Sequence, residues 1–385
     1  MPLLRLLSAV AATSLLAAAG CGGGGSGAST PGAGEAGEIT TYRDTNLPGK
    51  LLVNHPAGDA VVFDLRTGER TRLPTLEKAD ARWTAGASAD TVLRWELHPY
   101  AGTVPIAFFS TRTWTRTRDD ITIHASFDRP KLSADGKQIL TFWHDSSQGV
   151  FSSEKNPLTI FDAEQGAVVK RGSMLPEDDT VISSPAAWLP DGQYVYLVAN
   201  ALYISSPPER TSRLIATLDL PINGDFGDYV SGTSTLVASP DGTHLAFTWR
   251  ESRGTAWDGH IWVVRADGTG LRRITKVPDE ATAMSYGFVS PTWSPDGRWI
   301  AGMYNMSGSV VAPIFPDDQS FPLPGGVIGS TGCGTNQVFV LPADAERTVI
   351  SWPRFDAQYG IKVRAPAGQP GGQWLSACGD IAWLP

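Results

Sequence analysis

The sequence predicts an all-β fold assembled from repeated four-stranded antiparallel units, and three observations carry that expectation. A tight turn of the form Pro-Asp-Gly or Ala-Asp-Gly recurs in "LSADGKQILTFWHD" (Leu132 to Asp145), "WLPDGQYVYLVAN" (Trp188 to Asn200), "ASPDGTHLAFTWR" (Ala238 to Arg250) and "SPTWSPDGRWIAGMYN" (Ser290 to Asn305). The copies lie about 50 residues apart, close to the period of four short strands with their loops. The segments after each turn, such as "HLAFTW" and "RWIAGMY", are apolar at nearly every position, which suits sheets covered on both faces. Units of this kind stack radially into a β-propeller.

Each element follows from local chemistry. In the turn, Pro presets its φ, Asp bonds nearby backbone and Gly supplies a positive φ. A second hairpin completes each unit, clearest in "HIWVVRADGTGLRRIT" (His260 to Thr275) and present in "LTIFDAEQGAVVKRG" and "AVVFDLRTGERTRLP". "ARWTAGASADTVLRWEL" (Ala81 to Leu97) and "QVFVLPADAERTVISW" (Gln337 to Trp352) read as degenerate first hairpins. "IAWLP" (Ile381 to Pro385) repeats "AAWLP" (Ala186 to Pro190) without its partner strand, while "KLLVN", "AVVFDL" and "RTRLP" are three strands lacking a first one. The ring is therefore expected to close by pairing the C-terminal strand with N-terminal strands. Seven blades are favoured, with six as the alternative if Ser307 to Pro324 is only a loop.

With these motifs the chain resembles the TolB-type propellers, whose repeats carry a WSPDG turn followed by an Ile-Trp-Val hairpin closing on Ala-Asp-Gly. The match is close over Ser239 to Thr275, good over Pro291 to Asn305, fainter elsewhere, and covers most of Gly49 to Pro385 as a pattern. There is no sign of the separate α/β domain that precedes the propeller in TolB. The resemblance implies protein partners in the envelope and a peptide entering the mouth of the central channel, although a shared scaffold does not transfer a partner.

Residues 1–20 read as an export signal, with Arg5 ahead of an apolar stretch from Leu6 through Ala19 that is too short for a membrane span. "LLAAAGC" resembles a bacterial lipobox, which implies acylation of Cys21; Ala18 stands where that pattern prefers Leu. Residues 21–48 follow as a Gly/Ser/Ala-rich flexible tether, and residues 49–385 as the propeller. The expected location is a membrane-anchored lipoprotein, periplasmic or at the cell surface. Cys333 and Cys378 remain as an even pair in an oxidising compartment, so a disulfide is expected, two separate buried thiols being the alternative. A loop of roughly 45 residues closed by that bridge is worth up to about 4 kcal/mol in the chain-entropy model.

A net charge of -8 without any basic run argues against nucleic acid, which requires clustered Lys and Arg. The long segments Asp145 to Pro157, Asp219 to Gly232, Arg250 to Gly259 and Pro324 to Thr335 all fall on the face opposite the Pro-Asp-Gly turns. Loops on a rigid scaffold are where binding usually sits. Candidate binding residues there are Trp143, His144, Trp249, Arg250, Tyr304, Trp352 and Arg354, placed near the channel mouth by their positions at strand ends. For Trp143, Trp249, Tyr304 and Trp352, packing between blades is the favoured reading over binding. Acidic pairs such as Asp119 and Asp120 or Asp279 and Glu280 could hold Ca²⁺, yet no loop has the spacing of a dedicated calcium site.

His98, His124 and His144 fall near one sector, but no His-x-His or His-x-x-x-His spacing supports a metal among them. Gly-x-Ser-x-Gly and a phosphate loop are absent. The expectation is a monomeric, non-catalytic module without a cofactor, touching the membrane through lipid alone and binding an envelope protein or peptide. The alternatives are a metal-dependent lyase or hydrolase acting on polysaccharide, and a carbohydrate-binding surface module.

Overall fold

The computed structural model describes residues 39–41, 47–54, 60–67, 70–73, 81–88, 90–96, 103–124, 129–142, 158–171, 185–207, 212–221, 235–253, 256–277, 285–307, 337–349, 360–364, 372–375, 377 and 381–385. All lie in the compact unit Ala33–Pro385. The chain begins with β1 (Ile39–Thr41) and then supplies β2 (Lys50–Asn54), β3 (Ala60–Asp64) and β4 (Arg70–Arg72) to the first blade. The second blade is β5 (Ala81–Ala85), β6 (Thr91–Glu96), β7 (Val104–Ser110) and β8 (Ile121–Ile123). The third is β9 (Lys131–Leu132), β10 (Gln138–Phe142), β11 (Leu158–Asp162) and β12 (Val168–Arg171). The fourth is β13 (Ala186–Trp188), β14 (Tyr194–Val198), β15 (Ala201–Ser205) and β16 (Arg213–Thr217).

The fifth blade comprises β17 (Leu236–Ala238), β18 (His244–Arg253), β19 (Ala256–Arg265) and β20 (Arg272–Arg273), followed by β21 (Thr275–Lys276). The sixth is β22 (Ser285–Trp293), β23 (Trp299–Ser307) and β24 (Gln337–Pro342), with β25 (Thr348–Val349) beyond them. The chain ends with β26 (Ile361–Arg364), β27 (Gly372–Trp374) and β28 (Ile381–Leu384). Blades five and six also share backbone pairing, because β19 runs parallel to β22 at Asp258↔Tyr286 and β21 parallel to β25 at Thr275↔Thr348.

The ring closes as the sequence predicts. β28 is the inner strand of the first blade and pairs antiparallel with β2, in register Lys50↔Leu384, Leu51↔Trp383, Leu52↔Ala382 and Val53↔Ile381. The inner strands neighbour one another in the cyclic order β28, β5, β9, β13, β17, β22 and back to β28. Trp383 donates its backbone N–H to Thr292 Oγ1 at 3.0 Å, so the sixth blade and the closing blade abut directly.

The seven-blade expectation is therefore corrected to six for the described residues. "QVFVLPADAERTVISW" does not open a new blade; β24 pairs with β23 from Trp299↔Pro342 to Tyr304↔Gln337 and is the sixth blade's third strand. The intervening 308–336, outside the described residues, separates the two halves of that blade far enough in sequence to resemble two. A second correction concerns the tether, expected through residue 48. β1 pairs with β26 at Ile39↔Val363, Thr40↔Lys362 and Thr41↔Ile361, and Leu47 is 2% exposed, so the folded body reaches back to residue 39.

Six apolar clusters fill the six interfaces between blades, and strand alternation assigns residues to them. Leu51 and Val53 face the sixth blade with Ala301, Met303 and Val338, whereas Leu52 faces the second with Trp83 and Val92. Leu245 and Phe247 face the fourth blade, and Ala246 faces the sixth. Both faces of each sheet are thus buried, which is why the second strands read as unbroken apolar runs. One interface is also pinned by a polar group: Asn54, 2% exposed, accepts from Trp83 N–H at 2.9 Å through Oδ1 and donates to Trp83 O at 3.1 Å through Nδ2.

The turns repeat one hydrogen-bonded box. The Oγ of Ser133, Ser239 and Ser294 donates to Oδ1 of Asp135, Asp241 and Asp296 at 2.7, 2.6 and 2.6 Å. The same carboxylates accept from the backbone N–H of Lys137, Thr243 and Arg298 at 3.0, 3.0 and 3.1 Å. Gly242 closes its box at φ +71°, and a Cβ there would lie 2.7 Å from Pro190 Cδ of the preceding blade. The turn proline thus packs against the next blade's glycine in addition to setting its own φ.

The Ser133 hydroxyl holds the Asp135 carboxyl below the ordinary carboxylate range. At Asp241 and Asp296 partial burial pushes upward, but the serine hydroxyls and backbone N–H groups outweigh it and the net shift is also downward. Folded-state values below the unfolded value of about 3.9 stabilise the fold above that pH and cease to do so as pH falls through the folded values. Urea titrations at stepped pH should show stability falling below about pH 4. Asp241→Asn should flatten that acid limb while lowering stability near neutrality; a limb unchanged by the substitution would assign the acid response elsewhere.

Candidate functional site

The inner strands end at the tight turns on one face and at the channel mouth on the other, and the mouth is where charge collects. Arg129 lies two residues before Lys131 on the approach to the Ser133 turn, so both side chains leave the same side of the chain. Arg129 Nη1 donates to Thr235 Oγ1 at 2.9 Å, and Nη2 to Ser290 Oγ at 3.4 Å. Lys131 Nζ donates to Leu236 O at 3.0 Å and also to Ala186 O. Ala186 belongs to the neighbouring fourth blade, whereas Thr235 and Leu236 belong to the fifth and Ser290 to the sixth, which are not neighbours of the third in the ring.

Ser290 is 3% exposed and holds φ +53° at an irregularity in the β22–β23 register between Val289 and Thr292. A non-glycine residue held in that region costs on the order of 1 kcal/mol or more and persists only where its surroundings fix it. Here the Arg129 guanidinium and the following Pro291 hold it.

Beside the mouth, β18 and β19 extend as ten-residue strands paired out to Arg253↔Ala256. Glu251 on this hairpin accepts from Arg273 Nη1 at 3.0 and 3.2 Å, with side-chain exposures of 18% and 17%. Burial pushes the Glu251 carboxyl up, the Arg273 guanidinium pulls it partly back, and Asp258, opposite Glu251 in the register, adds to the upward push. His260, 3% exposed, stacks on Phe288 with ring centroids 5.8 Å apart, consistent with a structural role.

The structure separates the residues expected at the binding face. Trp249 is 4% exposed, packs between blades four and five, and donates Nε1–H to Pro221 O at 3.1 Å. Tyr304 is fully buried between blades five and six, 5.1 Å from Phe288. Both are corrected from binding face to core, because the strand alternation that buries Phe247 on β18 and Ile300 on β23 continues to the strand ends. Arg250 is exposed on the long hairpin. Trp143, His144, Trp352, Arg354 and His98 lie outside the described residues, as do Cys21, Cys333 and Cys378. His124 and the pair Asp119 and Asp120 are exposed, with Asp120 3.2 Å from Arg116. Among the described residues no group of three or more His, Cys, Asp or Glu side chains is placed to hold a metal ion.

Arg129 and Lys131 are the residues sequence reasoning missed. Aligning the repeats on their turns would have revealed them: Lys131 stands where four of the other inner strands carry Ala187, Val237, Thr292 and Ala382. Arg129 stands where three of them carry Pro185, Thr235 and Ser290.

Ring closure, blade order and the repeated turn box define a β-propeller, and part of the chain is similar to TolB proteins. Curated relatives named Tol-Pal system protein TolB, from Anaeromyxobacter sp. strain K and from A. dehalogenans strain 2CP-1, are each 35% identical to the chain over 120 residues. That match covers 31% of the chain and only 23% of each relative's length. Among solved structures, a putative TolB from Agrobacterium tumefaciens aligns over 78% of this chain and 87% of its own, at 15% identity and a TM-score of 0.45. An oligogalacturonate lyase in complex with manganese aligns over 91% of this chain and 98% of its own, at 12% identity and a TM-score of 0.43. No protein-family model matches the chain.

Proposed function

We propose that the protein is an exported, membrane-tethered, non-catalytic propeller that binds a protein or peptide partner on its loop-rich face. The observation that carries this reading is the channel mouth, where Arg129 and Lys131 gather charge and hydrogen-bonding groups from four blades onto one rigid rim. The relatives' name, Tol-Pal system protein TolB, places those proteins in a multi-protein system and supports a protein partner here. Lipidation at Cys21, followed by the Gly/Ser-rich run, would hold the ring away from the bilayer it is anchored to. For the Cys333–Cys378 bridge, support comes from Val338 N–H donating to Leu375 O at 2.8 Å, residues five positions after Cys333 and three before Cys378 in sequence.

Crosslinking and affinity capture from envelope fractions, combined with metal analysis and mass spectrometry of the non-reduced mature protein, test the reading. Specific protein partners, an acylated Cys21 at the N-terminus and a peptide pair joined through Cys333 and Cys378 are expected. Stoichiometric Mn²⁺, Zn²⁺ or Ca²⁺ that is lost on replacing His124 and His144 with Ala would replace binding with metal-dependent catalysis. Glycan protection of exposed Trp residues without protein capture would replace it with carbohydrate recognition.

A further inference from the structure

We propose that the tip of the β7–β8 hairpin is a glycan-binding site, in which the Trp114 indole stacks on one pyranose ring while Arg112 and Arg116 hydrogen-bond its hydroxyls. The inference is independent of the protein-binding reading above and concerns the other face of the ring. Thr111 N–H donates to Asp90 O at 3.0 Å, which sets this tip beside the β5–β6 turn, on the tight-turn face.

The site is marked by a residue that the fold does not call for. The outer hairpins of the first three blades carry one turn, "FDLRTGE" (Phe63 to Glu69), "FSTRTWT" (Phe109 to Thr115) and "FDAEQGA" (Phe161 to Ala167). In the third blade Gly166 N–H donates to Asp162 O at 2.9 Å and Asp162 N–H to Ala167 O at 2.7 Å. In the second, Trp114 N–H donates to Ser110 O and Ser110 N–H to Thr115 O, both at 3.0 Å. The caps correspond too: Asp162 Oδ1 accepts from Glu164 and Gln165 N–H at 2.8 Å each, and Ser110 Oγ from Arg112 and Thr113 N–H at 3.2 and 3.4 Å. Gly166 holds φ +69° and Trp114 holds φ +56° at the same point of the turn. Glycine adopts that left-handed conformation freely and a bulky side chain does not. Strain of this kind gathers at functional sites.

Packing accounts for only part of the indole, which rests against the cluster between the first and second blades and stays partly exposed. Arg112, Thr113, Thr115 and Arg116 around it are exposed. Arg112 Nη2 lies 3.0 Å from Asp90 Oδ1, Arg116 Nη1 lies 3.2 Å from Asp120 Oδ1, and the two threonine hydroxyls are 2.7 Å apart. Each cation has its carboxylate, so the tip offers donors and acceptors around one aromatic face with little net charge. Polyanions and anionic bilayers need uncompensated cations, and a protein interface needs several clustered anchors, whereas Trp114 is the one large apolar side chain of this tip. A pyranose matches what is present. The C–H groups of its apolar face meet the negative face of the indole, and its hydroxyls, each donor and acceptor, meet the guanidinium, carboxylate and threonine groups at the rim.

The test is calorimetric titration of the full folded chain with cellotetraose and with N-acetylchitotetraose. At least one should bind, with an affinity nearly unchanged by salt because the ligand is neutral. Trp114→Gly supplies the residue that the third blade uses in this turn, so it should keep a cooperative urea transition while weakening binding about tenfold or more. Trp114→Tyr keeps a ring and should fall between, and Arg112→Gln and Arg116→Gln should each weaken binding severalfold. Trp114→Asn, which also tolerates a positive φ, repeats the test if the glycine variant fails to fold.

Binding of neither tetrasaccharide, or equal binding by the wild type and a folded Trp114→Gly protein, would overturn the site. Trp114-dependent binding of phosphatidylglycerol vesicles without sugar binding would assign the tip to a membrane surface and also overturn it. So would an envelope protein captured by the wild type, lost in Trp114→Gly, and unaccompanied by sugar binding. Sugar binding lost in Trp114→Gly with protein capture unchanged supports the site and leaves the protein-binding reading standing on its own face.

Discussion

Removing residues 381–385 should abolish cooperative folding. Those residues supply the inner strand of the first blade, with Ile381, Ala382, Trp383 and Leu384 exposed by only 6%, 6%, 6% and 2%. They take part in two interfaces at once: Ile381 and Trp383 pack toward the sixth blade, Ala382 and Leu384 toward the second. At about 1.5–3 kcal/mol for each large apolar side chain fully buried, the loss is on the order of 5–8 kcal/mol before the β2 ladder is counted. Whole domains hold only about 5–15 kcal/mol of net stability. Urea unfolding followed by tryptophan fluorescence should therefore lose its sigmoidal transition, and the shortened protein should aggregate through the exposed β2 edge. The milder Trp383→Ala, which also deletes the Nε1–H donation to Pro48 O at 2.6 Å, should cost about 3–5 kcal/mol and retain a transition. A truncated protein that unfolds at the wild-type urea midpoint would refute closure through β28.

Asn54→Ala is expected to have the second largest effect of the substitutions considered. The Asn54 amide takes the place of one backbone unit, meeting both the N–H and the C=O of Trp83 from the neighbouring blade. Its removal leaves a buried donor and a buried acceptor on Trp83 to find other partners, at about 1–3 kcal/mol each, together on the order of 2–5 kcal/mol. Asn54→Asp is the informative companion: its carboxylate can accept from Trp83 N–H but cannot donate to Trp83 O. Its penalty should be larger near neutrality and should shrink as acid protonates it. Midpoints of urea unfolding at two pH values distinguish the pair from a generic cavity effect, which would not depend on pH.

The fold was legible in the sequence because its repeating unit is local. A Ser-x-Asp-Gly box closes within six residues, as from Ser239 to His244, where Ser239 Oγ accepts from His244 N–H at 2.9 Å. Such a box therefore reads the same wherever it occurs. Closure was legible for a related reason, since "IAWLP" carries the same Trp and Pro as the inner-strand segment "AAWLP".

Blade count was not legible, because it depends on whether β24 pairs back to β23 across the insertion 308–336, a long-range choice with no local mark. The site was the least legible part. Trp249 and Tyr304 drew attention by residue type, yet alternation along β18 and β23 turns both into blade interfaces. Arg129 and Lys131 stand inside a stretch that looks like one more turn approach. Their role emerges only when the ring brings Thr235 and Ser290, 106 and 161 residues away in sequence, within reach of one guanidinium.

The seam between β2 and β28 also dictates the order of assembly. Pro48 and Trp383 are joined by a hydrogen bond spanning 335 positions of chain, so the first blade cannot be completed until β28 has been made. Contacts of such high sequence separation fold slowly, and an unpaired strand is a template for intermolecular association while it waits. During synthesis β2 is the vulnerable edge. A nascent-chain holdase that shields it until the final strand arrives would raise the yield of native protein without changing its final stability.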